Sequence, residues 1–303
     1  MNNLPNPTLA LETLGGLPVL TDDALFRACG VRIAFTERAG GVSEGIYSAL
    51  NTAGHVGDDP DAVARNRRIA LDALGIDEKL LVVPNQVHGV NVVCVREGID
   101  ERDVLAQAEE GADGIVVEGE RVAALINTAD CLSVILVSPT GRFAVAHAGW
   151  RGAVAGIAGK TAYLLAAMDG SASDGGFGRE DVDVRNSKDG FGSDDVDARN
   201  SETCLAVAGG FNAYIGPHIG PECFEVGPEV VEQFTSAFGE DVIVGGDHVD
   251  LARAVSLDLM RAGVSESRIA NARICTKCNP ERYFSYRAST GACGRQAAIA
   301  CRM

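Results

Sequence analysis

Thr128 to Gly152 reads TADCLSVILVSPTGRFAVAHAGWRG, and this stretch sets the architecture of the chain. Leu132–Val137 and Phe143–Ala146 are short apolar runs rich in β-formers, and the turn Ser138-Pro139-Thr140-Gly141 separates them, so they read as two buried antiparallel strands. Cys131 begins the first strand and His147 ends the second. Antiparallel pairing returns both residues to one end of the hairpin, where a thiolate and an imidazole can share one metal ion.

Moving outward, more strands are expected at 114–117 and 122–127 before the hairpin, and at 80–83 and 90–95 further upstream. Between the latter pair lies PNQVHG, which places His88 in a short link beside Gly89. His88, Cys131 and His147 would then be three protein ligands with a fourth position open, the arrangement of a catalytic rather than a structural zinc. Asp130, next to Cys131, is the nearest candidate for a supporting or proton-transferring carboxylate. The same residues would also serve a cysteine nucleophile with a histidine base. After His147 the chain runs through Gly149-Trp150-Arg151-Gly152 into one helix reaching about residue 168, and the start of that helix is a candidate anion site.

Elsewhere the pattern is simpler. Residues 1 to about 30 read as a lead-in segment, and 36–59 as a long, ordered, glycine-rich loop. Asp59 caps a helix begun by Pro60 and ended by Gly75, with Arg67 inside its apolar stripe. Further helices are expected from Pro228 to Phe238 and from the Asp250 cap to Gly263. Cys275 and Cys278 form a C-x-x-C, but Cys293 and Cys301 do not supply the second pair of a zinc ribbon. Residues 169–202 contain DGGFGREDVDVRNS followed at once by KDGFGSDDVDARNS, and carry 10 acidic against 4 basic residues. This reads as a low-complexity acidic insertion on the surface.

The whole chain has 303 residues, 46% of them hydrophobic, and a formal charge of -16. That is ample for a core, and it disfavours nucleic acid or an anionic membrane as partner, since both are bound by neutralising phosphates with Lys and Arg. Nine cysteines without framework spacing suit a reducing compartment, and no signal-peptide pattern opens the sequence, so a cytoplasmic location is expected.

In order along the chain, FTERAGGVSEGIYSALN, HVGDDP, NQVHG, TADC, AHAGWRG, IGP with FEVG, CT and FSYR resemble the motifs of the laccase-domain, or YfiH-like, family. That family is also described as multicopper polyphenol oxidase-like and as peptidoglycan editing factor. The resemblance covers roughly residues 31–296 and leaves the acidic insertion outside. It implies one α+β domain over 1–303 with mixed β-sheets flanked by helices, and metal ligands at His88, Cys131 and His147. It further implies phosphorolysis of adenosine, inosine and methylthioadenosine to base and ribose 1-phosphate, with deamination of adenosine to inosine. Purine nucleoside and phosphate would be the small-molecule partners. Arg38, Gln86, Arg151 and Arg287 are the expected substrate contacts, from motif position. The alternative is hydrolysis of a peptidoglycan precursor through Cys131 and a histidine. Copper oxidase chemistry fits less well than zinc, because a blue site plus a trinuclear cluster needs more imidazoles than the five histidines available.

Overall fold

A computed structural model of the chain describes residues 3–77, 79–173 and 206–303. In chain order the elements are β1 (Ala10–Leu14), β2 (Leu17–Thr21), α1 (Asp23–Cys29), β3 (Val31–Thr36), α2 (Pro60–Ala73), β4 (Leu80–Val82), β5 (Val92–Val95) and α3 (Glu101–Glu110). There follow β6 (Gly114–Val117), β7 (Val122–Thr128), β8 (Leu132–Val137), β9 (Phe143–Ala148), α4 (Trp150–Val154) and α5 (Ile157–Ser173). The last third holds β10 (Asn212–Ile215), α6 (Pro228–Phe238), β11 (Ile243–Val244), β12 (His248–Val249), α7 (Leu251–Arg261), β13 (Ile269–Asn271) and β14 (Gln296–Arg302).

The α+β class with mixed sheets flanked by helices is as expected. One six-stranded sheet has the order β1-β2-β3-β14-β7-β4 and a second has β13-β10-β8-β9-β6-β5. Each contains both parallel and antiparallel neighbours: β7 pairs antiparallel with β14 and parallel with β4, and β6 pairs antiparallel with β9 and parallel with β5.

Alternation along the strands decides how the layers stack. In β9, Phe143 and Val145 point into a core shared with Ile33, Phe35, Ala124 and Ile126 of the first sheet. Ala144, Ala146 and Ala148 point the other way, against Ile157, Leu165, Phe234 and Val255 of the helices. The first sheet is covered on its far side by α2 through Ala70, Leu71 and Leu74. The hairpin strands β8 and β9 are therefore buried on both faces, which is why, Ser133 and His147 apart, their sequences are apolar rather than alternating. By the same alternation His147 lies on the face turned toward the first sheet, at the end of the sheet-to-sheet interface.

Several expectations need correction. Residues 10–29 are not a simple lead-in: they form a β-hairpin, turning at Gly15 and Gly16 with φ of 52° and 90°, and then α1 capped by Asp22. Helix α3 and strand β14 were not anticipated, because α3 is largely charged and β14 is built from small residues. The helix after His147 is two helices, broken where Gly156 takes φ 78°. Its second part continues to Ser173, beyond the expected end at 168. The insertion therefore does not begin at 169: Asp169 is a buried helical residue that accepts hydrogen bonds from Thr140 Oγ1 at 2.7 Å and Arg142 Nη1 at 3.2 Å. The repeat itself, from 174 on, lies outside the described residues.

The long loop 36–59 is ordered by one side chain of α2. Asn66 accepts from the Val42 N–H and donates to Ser43 Oγ, Ala49 O and Asn51 O, with all four contacts between 2.8 and 3.0 Å. Arg67 lies on the same side and donates from Nε to Thr52 O at 2.8 Å, so it fastens this loop instead of merely covering the core edge.

Candidate metal and substrate site

The hairpin closes in the expected register, with Leu132 opposite Ala148 and Ser133 opposite His147. Cys131 thereby comes to the end of β9 beside His147, and the link between β4 and β5 brings His88 to the same point. One donor atom from each of the three lies within 4.8 Å of the others. The His88 and His147 rings meet edge to face with centroids 4.8 Å apart, and His88 Nε2 stands 3.8 Å from the Cys131 sulfur.

Asp113, just before β6, is one of the residues that sequence reasoning missed. It is fully buried, and its Oδ1 lies 2.8 Å from His147 Nδ1. Its carboxylate also accepts the backbone N–H groups of Val87, His88 and Gly89 at 3.2, 3.0 and 2.7 Å. One side chain thus orients His147 with Nε2 toward Cys131 and pins the loop that carries His88. The only trace in the sequence is an aspartate between Gly111 and Gly114 at a strand entrance, which reads equally well as a turn residue.

Burial alone would raise the Cys131 thiol, but the imidazoles of His147 and His88 pull it down to about 6. Burial likewise opposes charge on His147, but Cys131 and Asp113 hold its imidazole up, at about 9. The donor set fits a thiophilic divalent ion: one thiolate, two imidazoles, and an imidazole whose second nitrogen is fixed by a carboxylate.

The glycine of Gly149 is dictated by this convergence. A methyl there would stand 2.6 Å from His88 Cδ2, and 3.4 Å from both the Cys131 sulfur and His147 Cε1. Gly149→Ala is therefore expected to displace His88 and weaken metal binding at least tenfold while leaving the far-ultraviolet circular dichroism unchanged; equal metal affinity in both proteins would show that the loop yields without cost. Gly152 is similarly placed, since a methyl there would come 3.0 Å from Gly89 O. Helix α4 is only five residues long, so its start offers little dipole for an anion, and both glycines answer to close packing.

A cavity of about 420 Å³ lies over the three ligands. His55, Gln86, Asn127, Trp150, Phe224, Tyr286, Arg287 and Arg295 are among its walls. Burial pushes the His55 imidazole down, and the nearby Arg295 and Arg67 add to the effect. His55 and Arg295 were not singled out in the sequence.

The other expected site residues have definite placements. Asp130 borders the cavity at φ 84°, but its carboxylate is held by the Thr276 hydroxyl at 2.6 Å and the Arg287 N–H at 2.7 Å. Its role in the geometry is to shape the turn before Cys131. Gln86 pairs with the Asn127 backbone through both ends of its amide, each at 2.8 Å, so it extends the edge of the sheet as well as lining the cavity. Arg287 reaches the cavity, with its guanidinium also bonded to Glu225 O. Arg38 and Arg151 are not among the lining residues. Arg38 donates to Ser48 O and Pro280 O, and Arg151 lies over the Trp150 ring, 4.3 Å from its centroid.

Comparison with known proteins finds relatives over most of the chain. The chain is 32% identical over 268 residues to adenosine deaminase RL5 from an unknown prokaryotic organism, covering 85% of this chain and 88% of that protein. It is 33% identical over 293 residues to a purine nucleoside phosphorylase of Deinococcus radiodurans, covering 95% and 94%. The fold matches the crystal structure of YlmD from Geobacillus stearothermophilus with a TM-score of 0.72, 24% identity and 99% coverage of both chains. It matches the hypothetical protein YfiH of Bacillus licheniformis with a TM-score of 0.75, 23% identity and coverage of 94% and 96%. The family model described as multi-copper polyphenol oxidoreductase laccase matches residues 32–175 and 196–303. With most of its length matched and the fold shared, the chain belongs to that laccase-like YfiH family.

Proposed function

We propose that this chain is a zinc-dependent purine nucleoside phosphorylase that also deaminates adenosine, with His88, Cys131 and His147 as the metal ligands. The observation that carries the reading is a single cavity with this donor set at its floor and both aromatic and cationic groups in its walls. Trp150, Phe224 and Tyr286 offer flat apolar surface to a purine, while Arg287 and Arg295 offer positive charge to phosphate. His55, kept neutral by burial and neighbouring cations, can donate or accept a proton at the ribose or the base. Asp113 holds His147 in one orientation throughout. Zinc, when bound, supplies a Lewis acid beside the reacting atoms.

In phosphorolysis a phosphate oxygen bonds to ribose C1′ as the glycosidic bond breaks, and the departing purine takes the electron pair and a proton. In deamination water adds at purine C6 and ammonia leaves. Both uses require a small planar base and an oxygen nucleophile in one site. The five histidines also favour zinc over an oxidase copper array: among the described residues only His88 and His147 join a metal-ligating group, with His55 across the cavity, too few imidazoles in one place for a blue site and a trinuclear cluster.

The test is incubation with adenosine, with and without phosphate, separating adenine from inosine by chromatography. Phosphate-dependent adenine with ribose 1-phosphate, and phosphate-independent inosine, are expected. No turnover of either kind, with amino-acid release from a cell-wall precursor instead, would replace the reading with peptidoglycan editing.

One observation favours a second reading. Cys131, His147 and Asp113 form a chain of thiol, imidazole and carboxylate, the order of a nucleophile, its base and the group that orients it. Metal-free protein that stays active and is inactivated by iodoacetamide would favour that chemistry.

A further inference from the structure

Away from the cavity, a second group of metal-ligating side chains converges. Glu222 and Cys223 lie on the turn that follows Ile219, and Cys275 and Cys278 form the C-x-x-C between β13 and β14. One donor atom from each of the four lies within 4.8 Å of all the others. The Cys223 and Cys278 sulfurs are 3.4 Å apart, and the Cys278 sulfur is 3.8 Å from Glu222 Oε1. Two thiolates on one tetrahedral zinc, each at about 2.3 Å, stand about 3.8 Å apart, whereas a disulfide requires about 2.0 Å.

The Asn279 side chain closes the C-x-x-C turn by donating to Cys275 O at 2.8 Å. The two segments are laced together, with the His218 N–H donating to Ile274 O at 3.2 Å and the Thr276 N–H to His218 O at 2.9 Å. The C-x-x-C therefore finds its missing partners not in Cys293 or Cys301 but in Glu222 and Cys223. Glu222 and Cys275 border a different cavity, of about 540 Å³, which shares no lining residue with the substrate cavity.

We propose that Glu222, Cys223, Cys275 and Cys278 bind a second zinc ion in a closed, four-ligand structural site. Four protein donors leave no open position, the opposite of the three-ligand set at Cys131. A carboxylate beside three thiolates suits zinc better than the softer Cu(I). The site braces the first one. Thr276, inside the C-x-x-C, holds the Asp130 carboxylate, and the Ile219 N–H donates to Asp130 O at 2.9 Å, so both ligand-bearing segments grip the turn that presents Cys131.

The test uses the full chain carrying Cys131→Ala, which removes the thiolate of the first site, purified under reductant, freed of metal and titrated with Co2+. One cobalt per chain is expected, with strong sulfur-to-metal charge-transfer bands and tetrahedral d–d bands, and zinc should displace it. Adding Cys278→Ser should weaken cobalt binding at least tenfold and erase most of the charge-transfer intensity. If that double variant does not fold, Glu222→Ala in the same background should change the d–d envelope and weaken binding. Zinc should raise the melting temperature of Cys131→Ala but not that of the double variant. Absence of thiolate bands in Cys131→Ala would overturn the proposal. So would a Cys223–Cys278 disulfide that forms under air with a full equivalent of zinc present. Because Cys278→Ser with Cys131 intact reports the first site alone, failure at one site is distinguishable from failure at the other.

Discussion

Cys131→Ala is expected to strip the cavity of its metal and to lower nucleoside turnover about 10²–10⁴-fold, the range that a lost activating group costs. The sulfur is the only soft donor among the three residues at the cavity floor, and two imidazoles alone hold zinc poorly. Metal binding to the intact protein should also carry a proton signature. Between about pH 6 and 9 the metal-free pair is a Cys131 thiolate facing a protonated His147. The ion takes the thiolate and the neutral imidazole, so each binding event in that window releases one proton from His147. Affinity should therefore fall about tenfold per pH unit from 9 down to 6, and more steeply below 6 as Cys131 also takes up a proton. Titration calorimetry in buffers of different ionisation enthalpy measures that proton directly. Release of no proton at pH 7.5 would mean that His147 is already neutral, and the ion-pair description would fall.

Asp113→Asn is expected to weaken metal binding 10–100-fold, the usual consequence of removing a group that orients a ligating histidine. The substitution acts twice. It takes negative charge from His147 Nδ1, which lowers the imidazole pKa, and it presents an amide NH₂ where the N–H groups of Val87, His88 and Gly89 need an acceptor. The pH profile separates these effects. With its pKa lowered, His147 is neutral over more of the range from 6 to 9, so the pH dependence of metal affinity should flatten there although affinity itself is lower. A uniform loss with an unchanged slope would assign Asp113 to loop placement alone.

How much of this was legible in the chain varied with how local the signal was. The hairpin of β8 and β9 could be read because two buried strands and their turn are contiguous, and its register then follows from the turn. Helix α6 was read to the residue, since Pro228 begins it and Gly239 ends it. Strand β14 escaped notice because Gln296-Ala297-Ala298-Ile299-Ala300-Cys301-Arg302 is made mostly of small residues, yet it lies between β3 and β7 at the heart of a sheet. Small side chains there let both faces pack closely, a demand of the tertiary arrangement and not of strand propensity. Arg38 and Arg151 stood in motifs that pointed to substrate; the Arg38 guanidinium is bonded to Ser48 O and Pro280 O, while that of Arg151 lies over Trp150, a wall of the cavity, because motif position does not settle where a long, flexible side chain goes.

The sequence by itself determined the local pieces: a thiol and an imidazole at one end of a hairpin, a histidine beside a glycine in a short link, and a C-x-x-C without its second pair. Only the tertiary structure decided the partners. Asp113 meets His147 from 34 residues away, and Cys223 meets Cys278 from 55. Such contacts arise from which sheet edges and loop ends are brought together, and the stacking of two sheets under a helical layer sets that. A single carboxylate or thiol carries no periodic signal of its own; its chemistry appears only when packing has chosen its neighbours.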